Sequence, residues 1–277
     1  MTGPLLALGA SLSWGLGDFL AGLRSRSLPV LTVLVVSQAA GLLTIALVVA
    51  ARGDGLPAAR YLGYAVVAGL CGVVGLAALY RGLAVGDMSV VAPISATAAV
   101  VPVVAGLVDG ERPSHLQGLG VALALAGVAL TAHESGTGGG GAAAGVGLAL
   151  AAALSFGLLL VALGAASEGD ALWGTLSMRI TSVSALVVAT LVVRPSFSLG
   201  NGALPALVLV GVLDTAGNAL FAVASTKSLL SLAAVLAQLY PVVTVLLARV
   251  VLGERISRRQ QVGVATVFAG VVLITAG

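Results

Sequence analysis

DGERPSHLQGLG (Asp109–Gly120) and LGERISRRQQVG (Leu252–Gly263) are two versions of one polar phrase, each set between long apolar runs. An offset of 143 residues lays Gly110, Glu111, Arg112, Ser114, Gln117 and Gly120 on Gly253, Glu254, Arg255, Ser257, Gln260 and Gly263. The match continues through Val121, Ala122, Ala126, Gly127, Val128 and Leu130, giving twelve identities over the 21 positions from 110 to 130. Apolar helices rich in Ala, Val and Gly match by accident often. The polar pattern G-E-R-x-S-x-x-Q does not, so the chain reads as a repeat. A weaker echo at nearly the same offset joins LSWGL (Leu12–Leu16) to LSFGL (Leu154–Leu158).

Composition says what surrounds the phrase. Of 277 residues 59% are hydrophobic and 8% charged, with 38 glycines. A water-soluble domain has roughly a quarter of its residues charged, so the solvent of this chain is mostly lipid. A bilayer-crossing helix needs roughly 20 predominantly apolar residues. Charges and Gly/Pro clusters divide the sequence into ten such spans, near 4–23, 30–51, 61–80, 89–108, 115–132, 145–166, 171–193, 203–226, 229–250 and 259–276. The expected fold is an all-α integral membrane protein of ten transmembrane helices in two inverted five-helix repeats around a central cavity. The first span has no basic segment before it and does not read as a cleavable signal.

The Gly-rich stretch HESGTGGGGAAAG (His133–Gly145) separates the halves. It predicts a first repeat over 1–135, a flexible linker over 136–144 and a second repeat over 145–277. Its glycines lack the following Lys-Ser/Thr pair of a phosphate loop. Five spans is an odd number, so the second half enters the membrane from the opposite side. An inverted repeat of this kind places a site near the midplane between the halves.

The ten spans, the two five-span halves, the GER turn before each last span and the early SWGLGDFLAG (Ser13–Gly22) resemble the drug/metabolite transporter superfamily, EamA branch. The resemblance implies a secondary carrier whose helices 1–4 and 6–9 surround a cavity. It also implies that spans 5 and 10 lie at the periphery, in a monomer or homodimer.

Lys and Arg in short loops favour the cytoplasm. The side of the N-terminus carries Arg52, Arg60, Arg112 and Lys227, and the other carries Arg24, Arg26, Arg81, Arg194, Arg249, Arg255, Arg258 and Arg259. The expectation is a multi-pass protein of the cell membrane with both termini outside the cytoplasm. The two GER copies then fall on opposite faces and form no common site. Glu111 and Glu254 are expected to serve the start of the helix that follows each, with Ser114 and Ser257 as N-caps.

Ionisable residues inside spans are costly and are functional candidates by default. Asp18 lies in span 1, Arg179 in span 7 and Asp214 near the middle of span 8. From the rise per residue, Arg179 sits roughly 4–5 Å from the midplane on one side and Asp18 roughly 6 Å away on the other. Asp214 is therefore the partner expected for Arg179, with Asp18 left to water, substrate or a proton. Asn218, four residues after Asp214, shares its helix face. Gln238 and Tyr240 lie in span 9 just before Pro241, and Trp14 and Phe156 occupy matching repeat positions. These eight residues (Trp14, Asp18, Phe156, Arg179, Asp214, Asn218, Gln238 and Tyr240) are the candidate cavity and coupling set. Structural pairing and ordinary interhelical packing remain the competing readings.

Other polar positions are Ser13, Gln38, Ser95, Thr97, Ser155 and Ser177. Pro93 and Pro102 should interrupt span 4, and Pro241 span 9. Gly69, Gly72 and Gly75 suit close helix contact. Cys71, the one cysteine, excludes an internal disulfide and reads as a buried thiol. Only His115 and His133 are present, and no catalytic or metal-ligand spacing occurs, which argues against an enzyme and against a metal or other cofactor. The scattered basic residues argue against nucleic acid. The expected partners are a small-molecule substrate and the lipid bilayer. The expected activity is alternating-access efflux of amino acids or related metabolites, with proton coupling through Asp18 or Asp214 open. A channel, or a membrane scaffold or sensor without transport, is the alternative.

Overall fold

The computed structural model describes residues 2–86, 88–132, 140–194, 202–252 and 258–276. Among them every regular element is helical: α1 (Thr2–Ser25), α2 (Val30–Arg52), α3 (Ala59–Val85), α4 (Met88–Ser95), α5 (Val100–Val108), α6 (His115–Ala132), α7 (Gly140–Ser167), α8 (Ala171–Val193), α9 (Ala203–Ser225), α10 (Leu230–Ala237), α11 (Tyr240–Leu252) and α12 (Arg258–Ala276). In lipid a spanning segment must satisfy its own backbone polar groups, which a helix does within itself. Seven described helical stretches are long and apolar enough to cross a membrane: α1, α2, α3, α7, α8, α9 and the α10–α11 stretch. Shorter apolar helical stretches cover 96–108, 115–127 and 261–274, where further spans are expected.

Two helices are split. A 3₁₀ turn over Ala96–Ala99 separates α4 from α5, and Pro102 stands in the first turn of α5. Residues Gln238 and Leu239 separate α10 from α11, and Pro241 is the second residue of α11. A proline has no N–H for the carbonyl four residues earlier and its ring crowds that carbonyl. Pro102 and Pro241 thus release Ala98 and Ala237, where the two breaks fall. Pro93 stays inside α4. The breaks meet: the Tyr240 hydroxyl lies against Ser95 Oγ and donates to the Ala92 carbonyl at 3.3 Å.

Helices from the two halves interleave. The closely packed pairs are α1 with α9, α3 with α7, and α6 with α12. Small residues set their approach. A Cβ on Gly211 of α9 would overlap the Ser37 carbonyl of α2, and one on Gly41 of α2 would meet the Gly211 carbonyl at 2.9 Å. Cβ atoms on Gly120 and Gly270 would each lie within 2.7 Å of the other's carbonyl, so α6 and α12 touch backbone to backbone. On α3, Gly69 faces α8, while Gly72 and Gly75 make room for Leu159 and Phe156 of α7.

The first copy of the repeated phrase has a role at each position. Gly110, at φ +90°, ends α5: its N–H reaches the Leu107 carbonyl and the Glu111 N–H reaches Gly106, the paired bonds of a Schellman motif. Ser114 is the N-cap of α6. Its Oγ accepts from the Gln117 N–H at 3.2 Å, while Gln117 Oε1 accepts from the Ser114 N–H at 2.9 Å, a reciprocal capping box. Glu111 departs from expectation. Its carboxylate serves not α6 but α10, accepting from Leu230 N at 2.5 Å and Ser231 N at 3.1 Å. The Ser114–Gln117 box already satisfies the first turn of α6, whereas α10 begins with Leu229 as N-cap, a residue with no side-chain acceptor.

Glu254 and Ser257 lie outside the described residues, as do 133–135 at the end of the expected first repeat and 136–139 of the expected linker. Residues 140–144 belong to α7, so that part of the expected linker is helical. Alanine at 142–144 favours helix. Cys71 is half-buried, not fully enclosed.

Candidate functional site

All eight candidate residues line one cavity. Helix α1 contributes Trp14 and Asp18, α7 Phe156, α8 Arg179, and α9 Asp214 and Asn218. Gln238, at the break after α10, and Tyr240, opening α11, close the set. Gln38 of α2 also lines the cavity. None of the lining residues belongs to α6 or α12, which pack on each other.

The polar centre joins three helices. Arg179 is 2% exposed, among the largest fully buried side chains, and its Nη2 lies 2.7 Å from Asp214 Oδ2. The Nη2 hydrogens have no aligned acceptor despite that distance, so attraction between charges holds this edge more than a directed hydrogen bond does. Gln38 bridges the pair. Its Oε1 accepts from Arg179 Nη1, and its Nε2 donates to Asp214 Oδ2 at 2.9 Å. Asn218 Nδ2 donates to the Asp214 carbonyl at 2.7 Å and to Oδ1 at 3.2 Å. A buried charge pair offsets its desolvation only when further hydrogen bonds complete it, and Gln38 and Asn218 supply them. The close α2–α9 contact at Gly41 and Gly211 is what brings Gln38 within reach.

Sequence reasoning left Gln38 among the polar positions without assigning it. The available signal was an amide three residues before Gly41 on a mostly apolar helix. An uncharged side chain does not announce its partners, and both partners lie in the other half of the chain.

Asp18 stands apart. It is buried on α1, one turn from Trp14, and has no hydrogen bond or ion pair among the described residues. Asp214, another carboxylate, lines the same cavity. The Ser13 hydroxyl, donating to the Leu213 carbonyl at 2.7 Å, fixes α1 on α9 and sets the two acids near each other. Besides Arg179 Nη2, two buried atoms of the lining residues lack hydrogen-bond partners among the described residues, Arg179 Nε and Gln238 Oε1. The remaining walls are mostly apolar, with Gly72, Leu76, Leu159, Leu160 and Met178 beside Ser182. Trp14 lies over Gly217, where a Cβ would meet its Nε1 at 2.5 Å, and its ring centroid is 6.2 Å from that of Phe221.

At the helix ends near Asp170 the arrangement is different. Asp170 caps α8, accepting from Leu172 N and Trp173 N at 2.9 and 2.8 Å. It also takes a forked contact from Arg52 of α2 at 3.3 and 3.0 Å, and Arg52 pairs with Asp54 as well. Burial pushes the Asp170 carboxyl up, but the Trp173 N–H, the Arg52 guanidinium and the Leu172 N–H outweigh it and hold it below its ordinary value. No group of acidic, histidine or cysteine side chains among the described residues could hold a metal ion.

A model of the EamA-like transporter family matches residues 1–132 and again 143–276. A solved crystal structure, described only as that of a protein, superposes with a TM-score of 0.80 at 18% identity, covering 99% of this chain and 98% of the other. That likeness shows a shared fold. No curated protein matches the chain.

Proposed function

The chain belongs to the EamA-like transporter family, within the drug/metabolite transporter superfamily, and from that premise we propose that it is an alternating-access carrier exporting amino acids or related small metabolites. Members of the family are multi-pass membrane transporters of small molecules, not enzymes. The finer reading takes ten spans in two inverted repeats, 1–135 and 145–277, joined by a short linker. Three observations support it: the family model matches twice, the GER phrase recurs at an offset of 143, and α1 packs on α9 as α7 packs on α3. Swapping the halves exchanges those two contacts. Two related bundles around one midplane cavity can rock and expose it to each side in turn.

The observation that carries the substrate reading is the set of unspent groups in the cavity. Arg179 Nε offers a buried donor to a carboxylate, and Gln238 Oε1 a buried acceptor to an ammonium group. Trp14, Phe156 and the leucines leave an apolar wall for a side chain. Asp214 is already engaged by Arg179, Gln38 and Asn218, so Asp18 is the group assigned to a coupling proton. The reading places the protein in the cell membrane with both termini outside the cytoplasm. The test is uptake by purified protein in liposomes over a panel of amino acids and small metabolites, with and without a pH gradient. Accumulation of a zwitterion above empty liposomes supports it. Transport confined to compounds lacking either an acidic or an amino group refutes the substrate class.

A further inference from the structure

We infer that Glu111 is a positioning residue that locks the split helices of the two halves into one moving unit. The inference rests on the carrier reading above for its meaning in transport, but its structural content is independent of any substrate. Helices α4–α5 and α10–α11 are each broken within their length, they pack on each other, and hydrogen bonds join them at two points. One point is at the breaks, where Tyr240 meets Ser95 and Ala92. The other is at the helix ends, where the Glu111 carboxylate, carried on the turn that closes α5, accepts from Leu230 N and Ser231 N at the start of α10.

The turn is built for that reach. The Schellman bonds from Gly110 and Glu111 fix the backbone of the turn. Gly106 has no side chain, and a Cβ there would occupy the space of the Glu111 carboxyl group. The acid therefore lies flat over the end of α5 and points at the neighbouring helix. Its negative charge also sits at the positive end of α10, where exposed N–H groups favour an anion.

Helix α10 is a short, stiff element whose residues Ser231 to Ala237 are all buried. At a rise of about 1.5 Å per residue, its eight residues carry a displacement at Glu111 roughly 12 Å to Gln238 on the cavity wall. With both ends tied, α10 follows α5. With the Glu111 end released, α10 can tilt about the Tyr240–Ser95 contact, and the cavity wall tilts with it.

The experiment uses the protein's own fluorescence. The chain has two tryptophans, Trp14 in the cavity and Trp173 at the start of α8. In a Trp173→Phe background, Trp14 emission reports access of water-borne acrylamide to the cavity, measured on full-length protein in lipid nanodiscs. Glu111→Gln should change the Trp14 quenching constant at least twofold, and Glu111→Asp, which keeps the charge, should fall between it and the wild type. In liposomes, Glu111→Gln should lower the maximal uptake rate about tenfold while the half-saturation concentration stays within twofold. Wild-type quenching in the folded fraction of Glu111→Gln, whatever its melting midpoint, would overturn the inference and leave a cap that only stabilises. If the wild-type protein moves no compound in the panel, the carrier reading fails while the quenching comparison still decides the role of Glu111.

Discussion

Arg179 of α8 and Asp214 of α9 lie 2.7 Å apart in the wall of the cavity, and Gln38 of α2 is hydrogen-bonded to both. Three helices therefore converge on one charge pair, and removing either charge leaves the other buried without compensation.

That asymmetry sets the first expectation. Arg179→Ala or Asp214→Ala should each destabilise the protein by about 3–5 kcal/mol, because a lone buried charge remains. The double change Arg179→Met with Asp214→Leu should cost less than either single change, since it removes both desolvation penalties together. Thermal unfolding of the detergent-solubilised protein checks the order. A double variant less stable than both singles would show that the pair contributes more than mutual neutralisation.

Asp18 has no partner among the described residues, so its neutralisation should cost little in folding and much in coupling. Asp18→Asn should keep the wild-type melting midpoint or raise it, and should abolish uptake driven by a pH gradient while sparing exchange between equal internal and external substrate. Measured in liposomes, gradient-driven uptake equal to wild type would remove Asp18 from the coupling role.

The α2–α9 crossing has no room for a methyl group. Gly211→Ala would push against the Ser37 carbonyl, separate Gln38 from Asp214 and cost about 1–3 kcal/mol by overpacking. Gly63→Ala, where nothing lies within 4 Å of the added Cβ, is the matched control and should keep or raise the midpoint, because alanine favours helix. Equal midpoints for the two variants would mean that the helices shift without loss.

Asp170 supplies an acid-sensitive stabilisation. Its pKa in the folded protein is held below the ordinary carboxylate value, so the contribution is complete above the unfolded pKa, about 3.9. It is lost as pH falls from there through the lowered folded value. Asp170→Asn should therefore be less stable than wild type at pH 7, and the gap should narrow as pH drops below about 4. Melting midpoints across that range test the sign, and a gap that widens in acid would reverse it.

Much of the architecture was legible because a membrane punishes exceptions. Charges and Gly/Pro clusters marked helix ends, and the cost of a charge in lipid singled out Asp18, Arg179 and Asp214 from a nearly uncharged background. Asn218, Trp14 and Phe156 followed from helical spacing and the repeat. Gln38 did not, because an amide costs less in lipid than a charge and its two partners sit 141 and 176 residues away. The Glu111 contact was hidden for a related reason. Ser114 and Gln117 cap locally, and a sequence pattern shows local caps, but a carboxylate that caps another helix 119 residues on is visible only once the halves are interleaved. At the start of α7 the glycines suggest flexibility, whereas the alanines at 142–144 favour helix, and residues 140–144 are helical.

The most direct test of the account is uptake of radiolabelled amino acids by purified protein in liposomes, comparing wild type with Arg179→Lys. The account expects saturable accumulation of at least one zwitterionic amino acid above empty liposomes. It further expects at least a tenfold loss with Arg179→Lys, which keeps the charge but cannot present the guanidinium's fork of donors. Accumulation by the wild type that Arg179→Lys leaves unchanged would contradict the assignment of Arg179 to the substrate, and no accumulation of any zwitterion would contradict the substrate class itself.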